Sequence, residues 1–187
     1  MKFEILTWND IVRMSLQLCK KIKKSNFNPT VIITILRGGL VPARILSDCL
    51  QINRFHVMGV SFYTDVASHK GEPVITQPLS VNLEGHIALL VDDVVDTGES
   101  IEVAKEHILS LGAKNVKVAT LHKKPWAKFI PDFYLSESDS WIVYPWEYYE
   151  TLNSLRRKLS EAKNSDEKKS IEAAINEIEK KLNEFIR

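Results

Sequence analysis

The chain has 187 residues, 44% of them hydrophobic and 26% charged, with a formal net charge of +1 at pH 7. That length supports one full hydrophobic core with at most a small appendage, and the balanced charge excludes a broad attraction to nucleic acid or to an anionic membrane. The opening Met1-Lys2-Phe3-Glu4-Ile5-Leu6 has no secretory apolar core, and no apolar run approaches the roughly 20 residues of a membrane span, so a cytoplasmic protein is expected.

Thr7-Trp8-Asn9-Asp10 has the spacing of a capping box, and Ile11, Met14, Leu18 and Ile22 then recur at helical steps into a basic stretch at 20–24. After a connector at 26–29, Val31-Ile32-Ile33-Thr34-Ile35-Leu36 is a continuous β-branched run, as expected of a strand covered on both faces. Arg37-Gly38-Gly39 breaks it, 40–50 is expected to be helical, and 55–63 reads as a second strand. Residues 64–80 lack periodicity and read as a long loop or an irregular hairpin. A third strand is expected at 87–91, a helix at 99–111 closed by Gly112, a fourth strand at 116–121 and a short fifth at 133–135 before the aromatic segment 141–149. Strands alternating with helices at this spacing predict an α/β fold with a mostly parallel, doubly wound sheet.

The remainder differs in kind. Leu152, Leu155, Leu159 and Ala162 give one apolar stripe, Asn164-Ser165-Asp166-Glu167 reads as a break with a new cap, and Ile171, Ile175, Ile178, Leu182 and Phe185 give a second stripe. Two helices are expected, their stripe packed on the body or on a second subunit. Cys19 and Cys49 fall among apolar residues of expected helices and read as buried thiols rather than a disulfide or metal pair. The five histidines have no metal-ligand spacing, which argues against zinc.

The chemistry concentrates where apolar strands end. Leu89-Leu90-Val91 runs into Asp92 and Asp93, and Asp96 then leads Thr97-Gly98-Glu99-Ser100. Three like charges in one short loop are costly without a cation or sugar hydroxyls to offset them. The residues from Asp96 to Ser100 could wrap a monophosphate with successive N–H groups, Gly98 permitting close approach. One strand–helix unit earlier, Arg37 offers a charged fork for phosphate oxygens, with exposed N–H groups at Gly38 and Gly39. Neither a dinucleotide fingerprint nor a Walker loop is present. Lys124 at a strand end, with Trp141 and Glu147 further on, supplies an ammonium, an aromatic plate and a carboxylate suited to a planar, oxygen-bearing heterocycle. Trp146 and Tyr148 read as core or interface aromatics.

Arg37-Gly38-Gly39-Leu40-Val41-Pro42, the acidic loop, Lys124-Pro125, and Trp141-Ile142 through Pro145-Trp146-Glu147 resemble the type I phosphoribosyltransferases, and most closely those acting on xanthine, guanine and hypoxanthine. The resemblance implies a phosphoribosyltransferase domain over 1–150, with a small base-binding hood from the N-terminal segment and 123–149, followed by a C-terminal helical extension at 151–187. It implies 5-phosphoribosyl 1-diphosphate and a purine base as partners, with ribose hydroxyls on Asp92 and Asp93. The 5′-phosphate would sit at Asp96, Thr97, Gly98, Glu99 and Ser100, and the diphosphate on Arg37, Gly38 and Gly39 with Mg²⁺, Asp93 serving the metal directly or through water. A cis peptide bond is implied at Leu36-Arg37 or Arg37-Gly38. Lys124 would donate to the 6-oxo group, Trp141 would stack on the ring, Asp96 would act at N7, and carbonyls around Ile142 with Glu147 would read the 2-position. Ser61 and Tyr63 would begin a mobile closing loop, and a homodimer or homotetramer is implied. Departures are Leu36 where relatives commonly have Ser, Glu147 where a shorter Asp is familiar, and an unfamiliar tail after Tyr149. The competing readings are transfer to adenine or a pyrimidine, and a non-catalytic nucleotide-sensing regulator; the latter would need a DNA-binding element, for which no helix-turn-helix signal exists.

Overall fold

The computed structural model describes residues 2–63, 71–162 and 164–186. In chain order the elements are β1 (Phe3–Ile5), α1 (Trp8–Lys23), β2 (Val31–Leu36), α2 (Leu40–Leu50), β3 (Phe55–Tyr63), β4 (Glu72–Gln77), β5 (Ile87–Val95), α3 (Glu99–Ser110), β6 (Asn115–Lys123), β7 (Ser136–Glu137), β8 (Trp141–Val143), a short 3₁₀ turn (Pro145–Glu147), α4 (Tyr148–Glu161) and α5 (Ser165–Ile186). They group into two units, Val12–Glu137 and Met1–Ile11 with Ser138–Arg187. Helix α1 starts from the expected capping box: Asp10 N–H donates to Thr7 Oγ1 at 3.2 Å, and Thr7 N–H donates to Asp10 Oδ2 at 2.9 Å.

Val12–Glu137 is built on a six-stranded sheet of order β4-β3-β2-β5-β6-β7, parallel except for the antiparallel edge strand β4. On β2, Val31, Ile33 and Ile35 join Leu90, Val118, Ile101, Ala104 and Ile108 in one buried cluster beneath α3. The alternate side chains Ile32 and Thr34 are equally buried and point to the other face. Helix α2 lies against β2 and β5. Strand order reverses between β2 and β5, and open α/β sheets bind ligands beyond the carboxyl ends of strands at such a switch point.

Two expectations need correcting in this unit, and one of the two readings of 64–80 is met. Strand β5 continues past Val91 through both acids to Val95, because β6 extends to Lys123 and stays paired with it. The acids are therefore held by a strand end rather than by a free loop. Of the two readings of 64–80, the irregular hairpin is the one seen at Glu72–Gln77, which pairs with β3 and whose register shifts between Gly59 and Val60, while residues 64–70 lie outside the described residues. Cys19 and Cys49 are joined as a disulfide, since α1 and α2 bring their Cα atoms within 6.5 Å. Helical periodicity locates each cysteine on an apolar face but does not say which two faces meet.

The second unit pairs the two ends of the chain. β1 lies parallel to β8 with Phe3, Glu4 and Ile5 opposite Trp141, Ile142 and Val143; a three-residue strand at the N-terminus carries too short a pattern to be read in advance. The expected helical hairpin is present, with Asn164 Oδ1 accepting from Asp166 N–H at 2.8 Å at the start of α5. Its stripes form one cluster, Leu152, Leu155, Ile171, Ala174, Ile175 and Ile178, with Val143 and Tyr148, against which Phe3, Ile5 and Trp141 pack. Tyr148 is buried, and its hydroxyl donates to the Leu6 carbonyl. Burial, then the negative charges of Asp10, Glu177 and Glu184, push its pKa up from 10.0 to about 12. No helix of the described residues is long and apolar enough to cross a membrane.

Candidate active site

Two loops meet at the switch point, and glycine makes the meeting possible. The turn after β2 carries a cis peptide bond at Leu36-Arg37, one of the two positions the family resemblance implies. A Cβ on Gly38 would lie 2.2 Å from Asp93 Oδ2, and one on Gly39 would lie 2.5 Å from both Thr34 Oγ1 and the Val91 carbonyl. Bare backbone therefore stands directly beside the acidic strand end, and any larger residue would push the two apart. Asp93 N–H donates to Asp92 Oδ1 at 3.0 Å and Val94 N–H to Asp93 Oδ1 at 2.8 Å, so each carboxylate is oriented by the next amide. Asp92 is held well above the usual carboxylate range, first by lost hydration and then by the adjacent Asp93 charge.

Beyond Val95 the chain enters the loop expected to take a phosphate. Gly98 has φ of 100° and precedes α3, where Glu99 N–H donates to Thr97 Oγ1 at 3.4 Å. A Cβ there would meet Phe129 Cβ at 2.3 Å, so the loop is closed from behind by the segment after β6. The same segment is stitched to it by Lys124 N–H to the Val95 carbonyl (2.8 Å) and Lys128 N–H to the Thr97 carbonyl (3.0 Å). Backbone amides at a helix N-terminus beside two hydroxyls, Thr97 and Ser100, are chemically suited to an anion. A cavity of about 130 Å³ opens here, lined by Phe62, Asp92, Asp96, Thr97 and Ser100 among others.

Asp96 is exposed, and its Oδ1 accepts a 2.7 Å hydrogen bond from the indole N–H of Trp126, over whose ring the Lys124 ammonium sits at 5.5 Å. Trp126 thus touches both residues expected to serve the base, and the sequence reading missed it. Its place two residues after Lys124, beyond a proline that ends the strand, was the available signal. Lys123 is buried and tied to Glu137 at 2.7 Å and to the Lys124 carbonyl at 3.1 Å, which anchors the strand end from which Lys124 projects.

Among the other expected base-side residues, Trp141 is half-buried with Phe3 tilted against it at 6.3 Å, and Ile142 is buried opposite Glu4. Glu147 Oε1 accepts from Tyr144 N–H at 3.2 Å and so also caps the 3₁₀ turn. Tyr144 stacks on Trp146 at 4.8 Å, in keeping with a packing role for Trp146. Ser61 lies exposed on β3, and the backbone of Tyr63 ends that strand; the loop it would begin lies outside the described residues. Among the described residues no group of three or more His, Cys, Asp or Glu is disposed to hold a metal ion. The two carboxylates Asp92 and Asp93 do fit Mg²⁺, which is commonly bound through one or two carboxylates plus substrate phosphates.

The family model for the phosphoribosyl transferase domain matches residues 4–151, a span holding every expected site residue from Arg37 to Glu147. A xanthine-guanine phosphoribosyltransferase of Desulfotalea psychrophila is 34% identical over 144 residues, covering 76% of this chain and 84% of that protein. The solved structure of a purine phosphoribosyltransferase from Pyrococcus horikoshii is similar with a TM-score of 0.71 at 40% identity, covering 78% of this chain and 94% of that one. A hypothetical protein from Neisseria gonorrhoeae with bound ppGpp gives a TM-score of 0.72 at 31% identity, covering 79% of this chain and 90% of that one. A family match over most of the chain, together with the mostly parallel α/β sheet and the glycine turn and acidic strand end that meet at its switch point, makes this chain a member of the phosphoribosyltransferase family.

Proposed function

We propose that the protein transfers the 5-phosphoribosyl group of 5-phosphoribosyl 1-diphosphate to N9 of a 6-oxopurine, guanine, hypoxanthine or xanthine, in purine salvage. The products are the nucleoside 5′-monophosphate and diphosphate. The observation that carries this reading is the bare backbone of Gly38 and Gly39 pressed against Asp93 and Asp92. Recognition of a diphosphate and of a sugar side by side needs that juxtaposition of amides and carboxylates. The curated relatives that act on xanthine and guanine support the choice of base.

In this reading Asp92 and Asp93 take the ribose hydroxyls, Asp96 to Ser100 cradle the 5′-phosphate, and Arg37, Gly38 and Gly39 hold the diphosphate. Mg²⁺ would be held by the diphosphate and Asp93, directly or through water, and when bound it neutralises charge on the departing oxygens. The N9 lone pair forms the new bond to C1 of the ribose while the C1–O bond breaks, and its electron pair leaves with the diphosphate. Positive charge develops on the sugar as that bond lengthens, and the fixed carboxylates of Asp92 and Asp93 stabilise it. Asp96 accepts the N7 proton, or a hydrogen bond from it, as N9 attacks. Lys124 donates to the 6-oxo group, Trp141 stacks on the ring, and Ile142 carbonyls with Glu147 read the 2-position. Residues 1–150 form the transferase domain with its hood, 151–187 the extension. A homodimer or homotetramer in the cytoplasm goes with this reading.

A panel of bases incubated with phosphoribosyl diphosphate and Mg²⁺ tests it. Turnover of an oxopurine is expected, and Asp96→Asn should lower kcat/KM by about 10²–10⁴-fold with the fold intact. Turnover of adenine or a pyrimidine alone would move the assignment to another base. A protein that binds ppGpp, as the gonococcal relative does, but turns over no base would be a nucleotide sensor.

A further inference from the structure

The family match ends at residue 151, yet the helical extension reaches back to a residue expected to meet the base. Lys158 on α4 places its ammonium 4.1 Å from the centroid of the Trp141 ring. The same helix contributes Leu152 and Leu155 to the cluster on which Trp141 and Leu159 pack, and Lys158 itself is half-buried. The cation is therefore held by a packed helix rather than by a free surface side chain.

An indole has two faces, and a cation at this distance occupies one of them through the ring quadrupole. In this reading the stacked base takes the other. We propose that Lys158 sets the preference among the oxopurines by favouring the base that carries the most negative charge over Trp141, namely xanthine, the most acidic of the three. This rests on the reading that Trp141 stacks on the base. A base stacked at van der Waals distance lies about 3.5 Å beyond the indole, with no water between it and the ammonium. Over the combined distance, one charge acting on another changes affinity by about threefold if screened as in water and about thirtyfold with protein-like screening. A neutral base feels only a fraction of this. Lys158 acts through Trp141 and is a positioning residue.

The test compares steady-state kinetics for xanthine and hypoxanthine in the full-length protein and in Lys158→Met, Lys158→Arg and Trp141→Leu. Methionine keeps the length and apolar cover of the side chain while removing its charge. The expected result is a KM for xanthine raised about three- to thirtyfold in Lys158→Met, a KM for hypoxanthine changed less than about twofold, kcat preserved, and restoration by Lys158→Arg. Equal changes for both bases, no change for either, or wild-type protein that does not use xanthine would overturn the proposal. Trp141→Leu separates the two layers of the argument. If it weakens both bases while Lys158→Met leaves their ratio unmoved, the inference fails and the stacking site stands. Unchanged KM values in Trp141→Leu would remove the stacking site, and this inference with it.

Discussion

Replacing both cysteines by alanine removes the bond between α1 and α2, and the expected loss can be worked from the chain it closes. The partners are 30 residues apart. In the chain-entropy account, opening a loop of that size returns about 12 cal/mol/K to the unfolded ensemble, or about 3.6 kcal/mol at 25 °C. For a protein of this length that should lower Tm by about 7–14 °C. The assay is thermal and urea unfolding of the oxidised protein, the reduced protein and the Cys19→Ala/Cys49→Ala variant. The reduced wild type should melt with the variant, because both lack the cross-link, and any gap between them measures the packing of the sulfur atoms alone. Two titratable thiols in unfolded, never-reduced protein would refute the reasoning, as would melting curves insensitive to reductant.

Asp92→Asn should stabilise the free protein and impair it as an enzyme. A carboxyl whose folded-state pKa is raised contributes stability below its unfolded value, and that contribution is lost as pH rises, so the wild type carries the cost at neutrality. Melts should show the variant ahead at pH 7 and level with wild type near pH 3.5, while affinity for phosphoribosyl diphosphate falls by about ten- to a hundredfold. Trp126→Phe keeps the ring under Lys124 but removes the donor to Asp96; kcat should drop by about three- to tenfold with KM for phosphoribosyl diphosphate unchanged, and full activity would show that the bond does not orient Asp96. Tyr148 ionises at about 12 in the folded protein against 10.0 as its ordinary value, so its contribution to stability is complete below pH 10 and declines as pH rises through 12. Urea titrations across that window should show the decline in wild type and less of it in Tyr148→Phe.

The parallel sheet was legible because its central strands are apolar runs separated by helical periodicity, and β2 and β3 match their expected limits. The acidic run from Asp92 to Asp96 stood out in the sequence because like charges so closely spaced are costly unless something offsets them. What the sequence hid were meetings between distant segments. Nothing in Phe3-Glu4-Ile5 names Trp141-Ile142-Val143 as its partner, nothing at Cys19 points to Cys49, and the indole of Trp126 finds Asp96 only after β5 and β6 align. The tail carried a clear amphipathic stripe but no sign that its helices would enclose the aromatic expected to meet the base. Periodicity reports which side of an element is covered, and tertiary pairing decides what covers it.

The pairing of β1 with β8 also imposes an order of events during synthesis. Phe3 leaves the ribosome first, but its partner Trp141 is made 138 residues later, and α5, which completes the surrounding cluster, later still. At about 5–20 residues per second the N-terminal strand waits roughly 7–28 s for its neighbour. The segment Val12–Glu137 contains its whole sheet and can close while the rest is still being translated. A nascent chain should therefore acquire the loops proposed to hold the phosphates well before the ribbon bearing Trp141, and a messenger truncated after Glu137 should yield a protein without the aromatic proposed to stack on the base.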